Sequence, residues 1–297
     1  MSSSADSAQT DGMLSHGRRL AWFAGRFAAL AASAAVAGAP PVLTPPPADF
    51  APGFASVAHT DQIAGKTARV DVWGLRRTAG NGGPVNLVMG MVPKADAQIR
   101  IVPVARRAAA SRGLYERAPC PGALAMINGS FFEGFGRHEH IQGLLRVGRR
   151  ALRPISGRQQ GGFLTTDGRS LRILPRAEAA RAQAADNAVE SSPILMLRGQ
   201  SGMHRDDGAH ADRVAAGLTD KGDVVLIGAF GERNDTVSLY EFETLAEGAA
   251  AANGLRLRDV IAMDGGPSAH LYLPRTDLFF GQTGPIFLTD VICLWVG

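Results

Sequence analysis

Two short clusters in this chain place polar residues and glycines directly after apolar segments. In the first, the segment ends in Asn128 and Gly129, a pair that turns the backbone sharply and exposes amide donors. In the second, an apolar segment leads to the carboxylate Asp264, and Gly265 and Gly266 follow it. Because glycine lacks a Cβ, a ligand can approach the backbone closely at these two positions. Each cluster alone is also typical of an ordinary turn.

A third cluster begins with the acid–base pair Asp212 and Arg213, at the start of another apolar segment. The guanidinium group of arginine binds phosphate through two parallel hydrogen bonds, although a lone arginine can equally be a satisfied surface cation. Functional sites are usually built on loops at the ends of regular elements. The presence of all three clusters at strand ends in one domain therefore predicts a functional site.

The elements that must position these clusters are mostly short strands. Twelve apolar runs are bounded by Gly, Asn, Asp or Pro, as strands usually are. They are residues 67–73, 86–92, 98–104, 123–127, 161–166, 171–174, 193–197, 214–218, 224–229, 260–263, 269–273 and 291–296. Two pairs predict hairpins, one turning at Asp167-Gly168 and the other at Lys221-Gly222, where a positive φ suits glycine.

Two segments predict helices, residues 175–187 and residues 239–253. The second has an apolar stripe at helical spacing, and Ser238 with Glu241 three residues later forms a capping-box pattern. Many strands with few crossover helices favour the α+β class. We therefore expect a single α+β domain with a mixed, strand-rich sheet and a few helices.

The N-terminal region has the pattern of an export signal. A basic patch between Arg18 and Arg26 precedes an apolar run, and Ala35-Val36-Ala37 fits the small-residue cleavage pattern. We expect residues 1–37 to be a signal peptide, residues 38–64 a Pro-rich arm and residues 65–297 the folded domain. The alternative is an uncleaved anchor over residues 20–39. With the signal removed, the sequence predicts no stable membrane span and a periplasmic or secreted protein.

Composition narrows the function classes. With 45% apolar and 20% charged residues, the chain is typical of a globular protein. The net charge is +4, the basic residues are scattered and only 6% of residues are aromatic, which argues against a nucleic-acid partner. Two cysteines, Cys120 and Cys293, are too few for a four-cysteine zinc site or a disulfide-dense scaffold. They could pair in an oxidising compartment, but the sequence does not show whether they are close.

Taken together, the motifs resemble those of the phosphodiester glycosidase family over roughly residues 65–297. The order and spacing agree in residues 125–132, 157–174, 192–198, 212–231, 239–241 and 263–269. Ser130 and Pro267 depart from the pattern, since the family often has glycine at both positions. The resemblance implies hydrolysis of a sugar-1-phosphodiester, in which the anomeric C–O bond breaks and a phosphomonoester is released.

The resemblance also assigns expected roles. Asp264, Arg213 and Glu241 are the expected catalytic residues, although Glu241 fits the capping box equally well. Asp264 could stabilise the positive sugar, act as nucleophile or orient water, and Arg213 would neutralise the phosphate. The expected substrate-binding residues are Asn128, Gly129, Ser130, Gly265, Gly266 and Ser268. No cofactor and no metal ligand are implied, and the export signal suggests a glycosyl phosphate or an envelope glycopolymer as substrate.

Two other functions remain open at the level of sequence. A metal-dependent phosphodiesterase could use a divalent metal bound by a histidine–carboxylate cluster. Its candidate ligands are His138, His140, His204, His210, Glu139, Asp206 and Asp207. A non-catalytic carbohydrate-binding domain with the same fold is the second alternative.

Overall fold

The computed structural model describes residues 50–52, 57–63, 66–77, 84–108, 111–116, 120–133, 140–157, 161–232, 236–284 and 286–297. All of them belong to one compact unit. The expected signal peptide, residues 1–37, lies outside the described residues, and so does much of the expected arm, residues 38–64. None of the helices in the described part of the chain is long and apolar enough to cross a membrane.

The described residues form 21 strands and three α-helices. The strands are β1 Phe50–Pro52, β2 Val57–Ile63, β3 Lys66–Arg77, β4 Pro84–Val92, β5 Ala97–Ala108, β6 Ala125–Asn128, β7 Phe132–Glu133, β8 His140–Ile141, β9 Leu145–Val147, β10 Arg150–Arg153, β11 Gly162–Thr166, β12 Leu171–Pro175, β13 Asn187–Ser191, β14 Ile194–Leu197, β15 Gln200–Ser201, β16 Arg213–Thr219, β17 Val224–Phe230, β18 Leu257–Ala262, β19 His270–Leu273, β20 Leu278–Gly281 and β21 Ile286–Val296. The helices are α1 Ser111–Glu116, α2 Ala179–Ala184 and α3 Leu239–Ala252. Short 3₁₀-helices cover Arg176–Glu178 and Gly266–Ser268.

Three sheets carry the fold. The largest has nine strands in the order β1-β3-β4-β17-β16-β18-β14-β15, with β2 also paired to β3. The two five-stranded sheets have the orders β10-β9-β13-β11-β12 and β20-β19-β6-β21-β5, and β7 pairs with β8. The expected α+β, strand-rich class is confirmed. Its finer pairing differs, because the strand pairs described are antiparallel where the sequence analysis expected a mixed sheet. Strands β1 and β2 also extend the large sheet into the segment expected to be an arm.

The structure confirms the predicted hairpin turns and the predicted helix cap. Both predicted hairpins form, β11 with β12 and β16 with β17, and Gly168 and Gly222 adopt φ values of +97° and +85°. Helix α3 begins at the predicted capping box of Ser238 and Glu241. The other predicted helix is shorter than expected. Its α-helical part ends at Ala184, because Ala185 is extended and Asn187 already pairs with Thr166 as the start of β13.

The two faces of the nine-stranded sheet bury different partners, because side chains alternate across a strand. On β17, Leu226 belongs to the core that the large sheet shares with Ile127 of β6 and Leu164 of β11. The neighbouring Ile227 faces the other way and packs with Phe242 of α3. The site-bearing strands are therefore fixed between sheets on one side and a helix on the other. Cys120 and Cys293, which the sequence left open, form a disulfide.

Glu190 in β13 is a buried carboxylate that joins three segments. Its side chain is 6% exposed and accepts hydrogen bonds from the backbone of Leu144 and Ser156, the Ser156 hydroxyl and the Arg176 guanidinium. Burial alone would raise the pKa of this carboxyl, but the hydrogen bonds and the Arg176 charge hold its pKa below the usual range. A depressed pKa means that the carboxylate contributes stability above its unfolded-state pKa, and this contribution is lost as the pH falls through the folded value.

We expect Glu190→Gln to lower the free energy of unfolding by about 3 kcal/mol at pH 7, because Arg176 stays partly buried without its partner charge. Urea denaturation at pH 7 and again below pH 4 measures the effect, which should shrink at the acidic pH. Glu178→Gln is the matched control. Its pair with Arg181 is more exposed and should contribute less than about 1 kcal/mol. Equal losses in both variants would contradict this role for Glu190.

Candidate functional site

The three sequence clusters meet at one edge of the fold. Strand β18 ends two residues before Asp264, and β6 ends at Asn128. Strand β16 runs antiparallel to β18, with Ala215 opposite Ala262, so Arg213 at the start of β16 lies beside the segment that follows β18. The clusters come from two different sheets. Their convergence is therefore a tertiary feature that depends on how these sheets pack.

The side-chain amide of Asn128 joins the first cluster to the second. Its Nδ2 donates to the backbone oxygen of Asp264 at 2.7 Å, and its Oδ1 accepts from the backbone N–H of His270 at 2.9 Å. A third hydrogen bond runs from the Asp264 N–H to the Gly129 oxygen at 3.2 Å. Asn128 is 2% exposed, and both of its side-chain bonds go to backbone. We therefore propose that it positions the Asp264 segment.

Gly129 is required by close packing against Asp290 of β21. A Cβ at this position would lie 1.9 Å from Asp290 Oδ2, so no other residue fits without a shift. The Gly129 N–H donates to the Asp290 backbone oxygen and the Ser130 N–H to Asp290 Oδ1, both at 3.0 Å. Asp290 is completely buried, and this raises the pKa of its carboxyl against the opposing hydrogen bonds from Thr289 and Ser130. Asp290 could not be predicted from the sequence, because no local pattern links it to Gly129.

Ser130 and Ser268, both expected to bind substrate, lie inside the protein. Ser130 is 4% exposed, and its carbonyl oxygen accepts from the Thr289 hydroxyl at 3.2 Å. Ser268 is 8% exposed and ends the 3₁₀-helix that follows Gly265. The structure therefore places these two residues beneath the strand ends. That they bind substrate remains a proposal. Because their side chains are buried, such binding would be through their backbone groups.

Arg213 lies directly against the Asp264-Gly265-Gly266 segment. A Cβ on Gly265 would be 3.3 Å from Arg213 Nη1, so the absence of a side chain there opens the space beside the guanidinium. Gly266 adopts a φ of +64°, which favours glycine, and its N–H donates to the Asp212 backbone oxygen at 2.9 Å. Gly266 therefore has a conformational reason to be glycine, and Gly265 borders the Arg213 guanidinium.

The guanidinium of Arg213 is held from one side only. Nε donates to the Val237 backbone oxygen at 3.3 Å and Nη2 donates to the Ala209 oxygen. Burial lowers the pKa of Arg213, and the charges of Asp207 and Asp212 oppose this effect. Arginine nevertheless remains protonated at neutral pH. Nη1, the nitrogen beside Gly265, has no acceptor among the described residues, so this donor can serve a ligand.

Asp212, the acidic residue of the third cluster, binds the loops behind Arg213. Its side chain is completely buried and its Oδ1 accepts from the Gly231 N–H at 3.0 Å and from the Thr236 hydroxyl. These bonds fix the residue before Arg213 to the segment that leads into α3. The pair is therefore divided in function: the carboxylate fixes the backbone and the guanidinium faces the site.

Glu241 caps α3 and also lies next to His210. Its Oε2 accepts from the Ser238 N–H at 2.8 Å, and Ser238 Oγ accepts from the Glu241 N–H at 3.2 Å. His210 Nε2 is 3.2 Å from the same Oε2. The capping role expected from the sequence is therefore present. The neighbouring His210 was considered only as a metal ligand, because residues 31 positions apart in the chain give no spacing signal.

The residues proposed for a metal site are dispersed where they are described. His140 is half exposed, and its Nε2 lies 3.9 Å from Glu133 Oε2. Asp206 and Asp207 accept hydrogen bonds from the N–H groups of nearby residues in their own turn. In the part of the chain that the structure describes, no group of three or more His, Cys, Asp or Glu side chains is arranged to bind a metal. His138 and Glu139 lie outside the described residues.

One comparison with known proteins identifies a family, and another shows similar folds. A family model described as phosphodiester glycosidase matches residues 121–287, more than half of the chain. A search of curated protein sequences gives no match. Among solved structures, the zebrafish N-acetylglucosamine-1-phosphodiester alpha-N-acetylglucosaminidase catalytic domain, auto-inhibited by its pro-peptide, is similar in fold. The TM-score is 0.57 at 13% sequence identity, with 81% of this chain and 87% of that chain covered.

Two bacterial structures are similar to a comparable degree. A hypothetical protein from Synechocystis gives a TM-score of 0.53 at 12% identity, covering 81% of this chain and 64% of that chain. A candidate exported protein from Burkholderia pseudomallei gives 0.53 at 13% identity, covering 74% of this chain and 76% of that chain. At these identities the structures support the fold alone.

The two glycines predict different responses to an added methyl group. Gly129→Ala should lower the free energy of unfolding by about 1–3 kcal/mol, because its Cβ would overlap the buried Asp290 carboxylate. Gly265→Ala should change it by less than about 1 kcal/mol, because the nearest atoms, Asp212 O and Arg213 Nη1, lie beyond 3 Å. Urea denaturation of both variants measures the difference. Equal destabilisation would show that the Asp290 packing does not determine the glycine at position 129.

Proposed function

The chain belongs to the phosphodiester glycosidase family, and from this premise we propose that it hydrolyses the anomeric C–O bond of a sugar-1-phosphodiester. The products are a free sugar and a phosphomonoester. The observation that carries the proposal is the position of Arg213, whose Nη1 lies beside Gly265 in the segment that follows β18. A cation and a carboxylate segment are thereby presented together at one edge.

Arg213 is proposed to bind the phosphate. A phosphodiester carries one negative charge, and the charge on its leaving group grows as the sugar C–O bond breaks. A guanidinium with an available N–H can neutralise that charge, and a charge-assisted hydrogen bond is roughly twice as strong as a neutral one. Phosphate also leaves more easily than an alkoxide. The site therefore needs charge neutralisation more than a strong general acid.

Asp264 is proposed to act on the sugar. Glycosidic cleavage passes through a state with positive charge on the sugar ring, which a carboxylate stabilises by charge, by covalent attack or by orienting water. The backbone of Asp264 is fixed on both sides, by Gly129 at its N–H and by Asn128 at its oxygen. The remaining loop glycines, Gly265 and Gly266, let the substrate approach the backbone. Glu241 is proposed to act through α3 and His210, because its Oε2 accepts from the Ser238 N–H and lies 3.2 Å from His210 Nε2.

The N-terminal pattern supports a proposed location, and that location suggests a class of natural substrate. A basic patch, a short apolar run and a small-residue cleavage pattern at residues 35–37 support export to the periplasm or the medium. The substrate we propose in that compartment is a glycosyl phosphate, either free or as a decoration on an envelope glycopolymer.

Hydrolysis of UDP-N-acetylglucosamine and of methyl glycosyl-1-phosphates in water enriched with heavy oxygen tests the proposal. We expect the label on the released sugar, because water attacks the anomeric carbon. Asp264→Asn should lower kcat/KM at least about 100-fold, because removing a group that acts on the reacting atoms costs this much or more. Asp186→Asn, on an exposed carboxylate paired with Arg149, is the control and should leave kcat/KM unchanged.

Label on the phosphate would contradict the proposal and favour the metal-dependent phosphodiesterase, which a loss of turnover with chelator would then identify. Saturable sugar binding without turnover, equally strong in Asp264→Asn, would instead support a carbohydrate-binding domain. Arg213→Lys separates the roles further. This substitution keeps the charge but loses the planar pair of N–H donors. Because lysine and arginine differ in geometry and not in charge, kcat/KM should fall about 10-fold or more.

A further inference from the structure

A cavity of about 190 Å³ lies between β12, an edge strand of its five-stranded sheet, and the ends of β14 and β18. Helix α2 and the preceding 3₁₀-helix close one side. The charged residues that line the cavity are Arg172, Arg181, Arg198, Arg258, Glu178 and Asp259. Four arginines and two acidic residues therefore line one small concave space. The cavity takes no part in the proposed chemistry.

The cavity is well separated from the catalytic edge. Arg258 lies near the start of β18, whereas Asp264 follows the end of the same strand. Six residues of extended chain span about 20 Å. A phosphate bound by Arg213 cannot reach these arginines. Binding in this cavity would therefore be a second event on the same protein.

The two carboxylates in the cavity are already paired. Asp259 accepts from Arg258 Nε at 2.8 Å through Oδ2 and from the Arg198 backbone N–H at 2.7 Å through Oδ1. Glu178 pairs with Arg181. For the side chains of Arg172 and Arg198, the described part of the structure gives no acceptor. Two positive charges in the cavity are therefore left uncompensated.

Arg198 lies in the two-residue turn of the β14–β15 hairpin. Its φ of +55° and the φ of +74° at Gly199 are those that such a turn requires, and the hydrogen bond to Asp259 fixes the Arg198 N–H. The bond to Asp259 thus fixes the backbone that carries the guanidinium at the rim of the cavity.

We propose that this cavity is a second anion site that binds a phosphate-bearing ligand through Arg172 and Arg198. Guanidinium groups suit phosphate because their planar donors match two of its oxygens. The volume is below the roughly 300–1,000 Å³ of pockets for drug-sized ligands, so it accepts one small phosphate ester or one phosphate of a longer chain. Both sources share the same chemistry. The proposal does not depend on the catalytic role of Asp264.

Protection of arginines from phenylglyoxal, mapped by mass spectrometry, tests the site directly. The probes are inorganic phosphate and poly(glycerol phosphate), added separately to the whole protein. We expect Arg172 and Arg198 to react about tenfold more slowly at ten times the half-protecting concentration, as mass action requires. Arg150 and Arg153, exposed on β10 at the opposite edge of the same sheet, should react at an unchanged rate.

Protection by phosphate alone would identify a site for small phosphate compounds, and protection by the polymer alone a site for a phosphodiester chain. Equal reactivity with and without both probes would overturn the proposal. In Arg172→Gln/Arg198→Gln, protection of the remaining Arg181 and Arg258 should need at least about tenfold more probe, because two charge-assisted bonds are lost.

The matched control, Arg150→Gln/Arg153→Gln, removes the same charge. In this variant the probe should protect Arg181 and Arg258 as well as it does in the unchanged protein. An equal loss of protection in both double variants would show a general charge effect and contradict the assignment. Turnover of methyl glycosyl-1-phosphates should be unchanged in both. Failure of the catalytic proposal therefore leaves this test intact.

Discussion

The side-chain amide of Asn128 is the interaction on which the proposed site depends. It connects the end of β6 in one sheet with the segment after β18 in another, through a bond to the Asp264 oxygen and a bond from the His270 N–H. Losing one partner of a buried hydrogen bond is costly, because the other group is left unsatisfied at a cost of about 1–3 kcal/mol. The amide therefore fixes both segments at once, and the carboxylate of Asp264 is positioned as a consequence.

Two buried polar residues, Asp290 and His270, support this connection. Asp290 is buried, has no cationic partner among the described residues, and is held by the Ser130 N–H and the Thr289 hydroxyl. His270 is also completely buried, and its pKa is lowered to about 4 by burial, so its ring is neutral at pH 7. Neutral and hydrogen-bonded groups cost less to bury than unpaired charges. These two residues thus supply fixed backbone geometry to the site while the cation Arg213 remains at the surface side.

The part of the fold that could be predicted from sequence is the part encoded locally. Asp167-Gly168 and Lys221-Gly222 specify hairpin turns, and Ser238 with Glu241 specifies a helix start, because each signal acts within four residues. The helix predicted for residues 175–187 was too long, because pairing of Asn187 with Thr166 overrides local propensity. The bond of Asn128 to Asp264 spans 136 positions, and that of Ser130 to Asp290 spans 160. No pattern in one sequence reports contacts at such separations, so the motifs predicted which residues matter and not how they meet.

A double-mutant cycle on turnover measures whether Asn128 acts through Asp264. The variants are Asn128→Ala, Asp264→Asn and the two combined, assayed for kcat/KM on a methyl glycosyl-1-phosphate, with far-ultraviolet circular dichroism confirming that each is folded. If Asn128 only positions Asp264, the double variant should be as slow as Asp264→Asn alone, because residues that act as a unit have non-additive effects. Losses that multiply in the double variant would show independent roles and contradict the account.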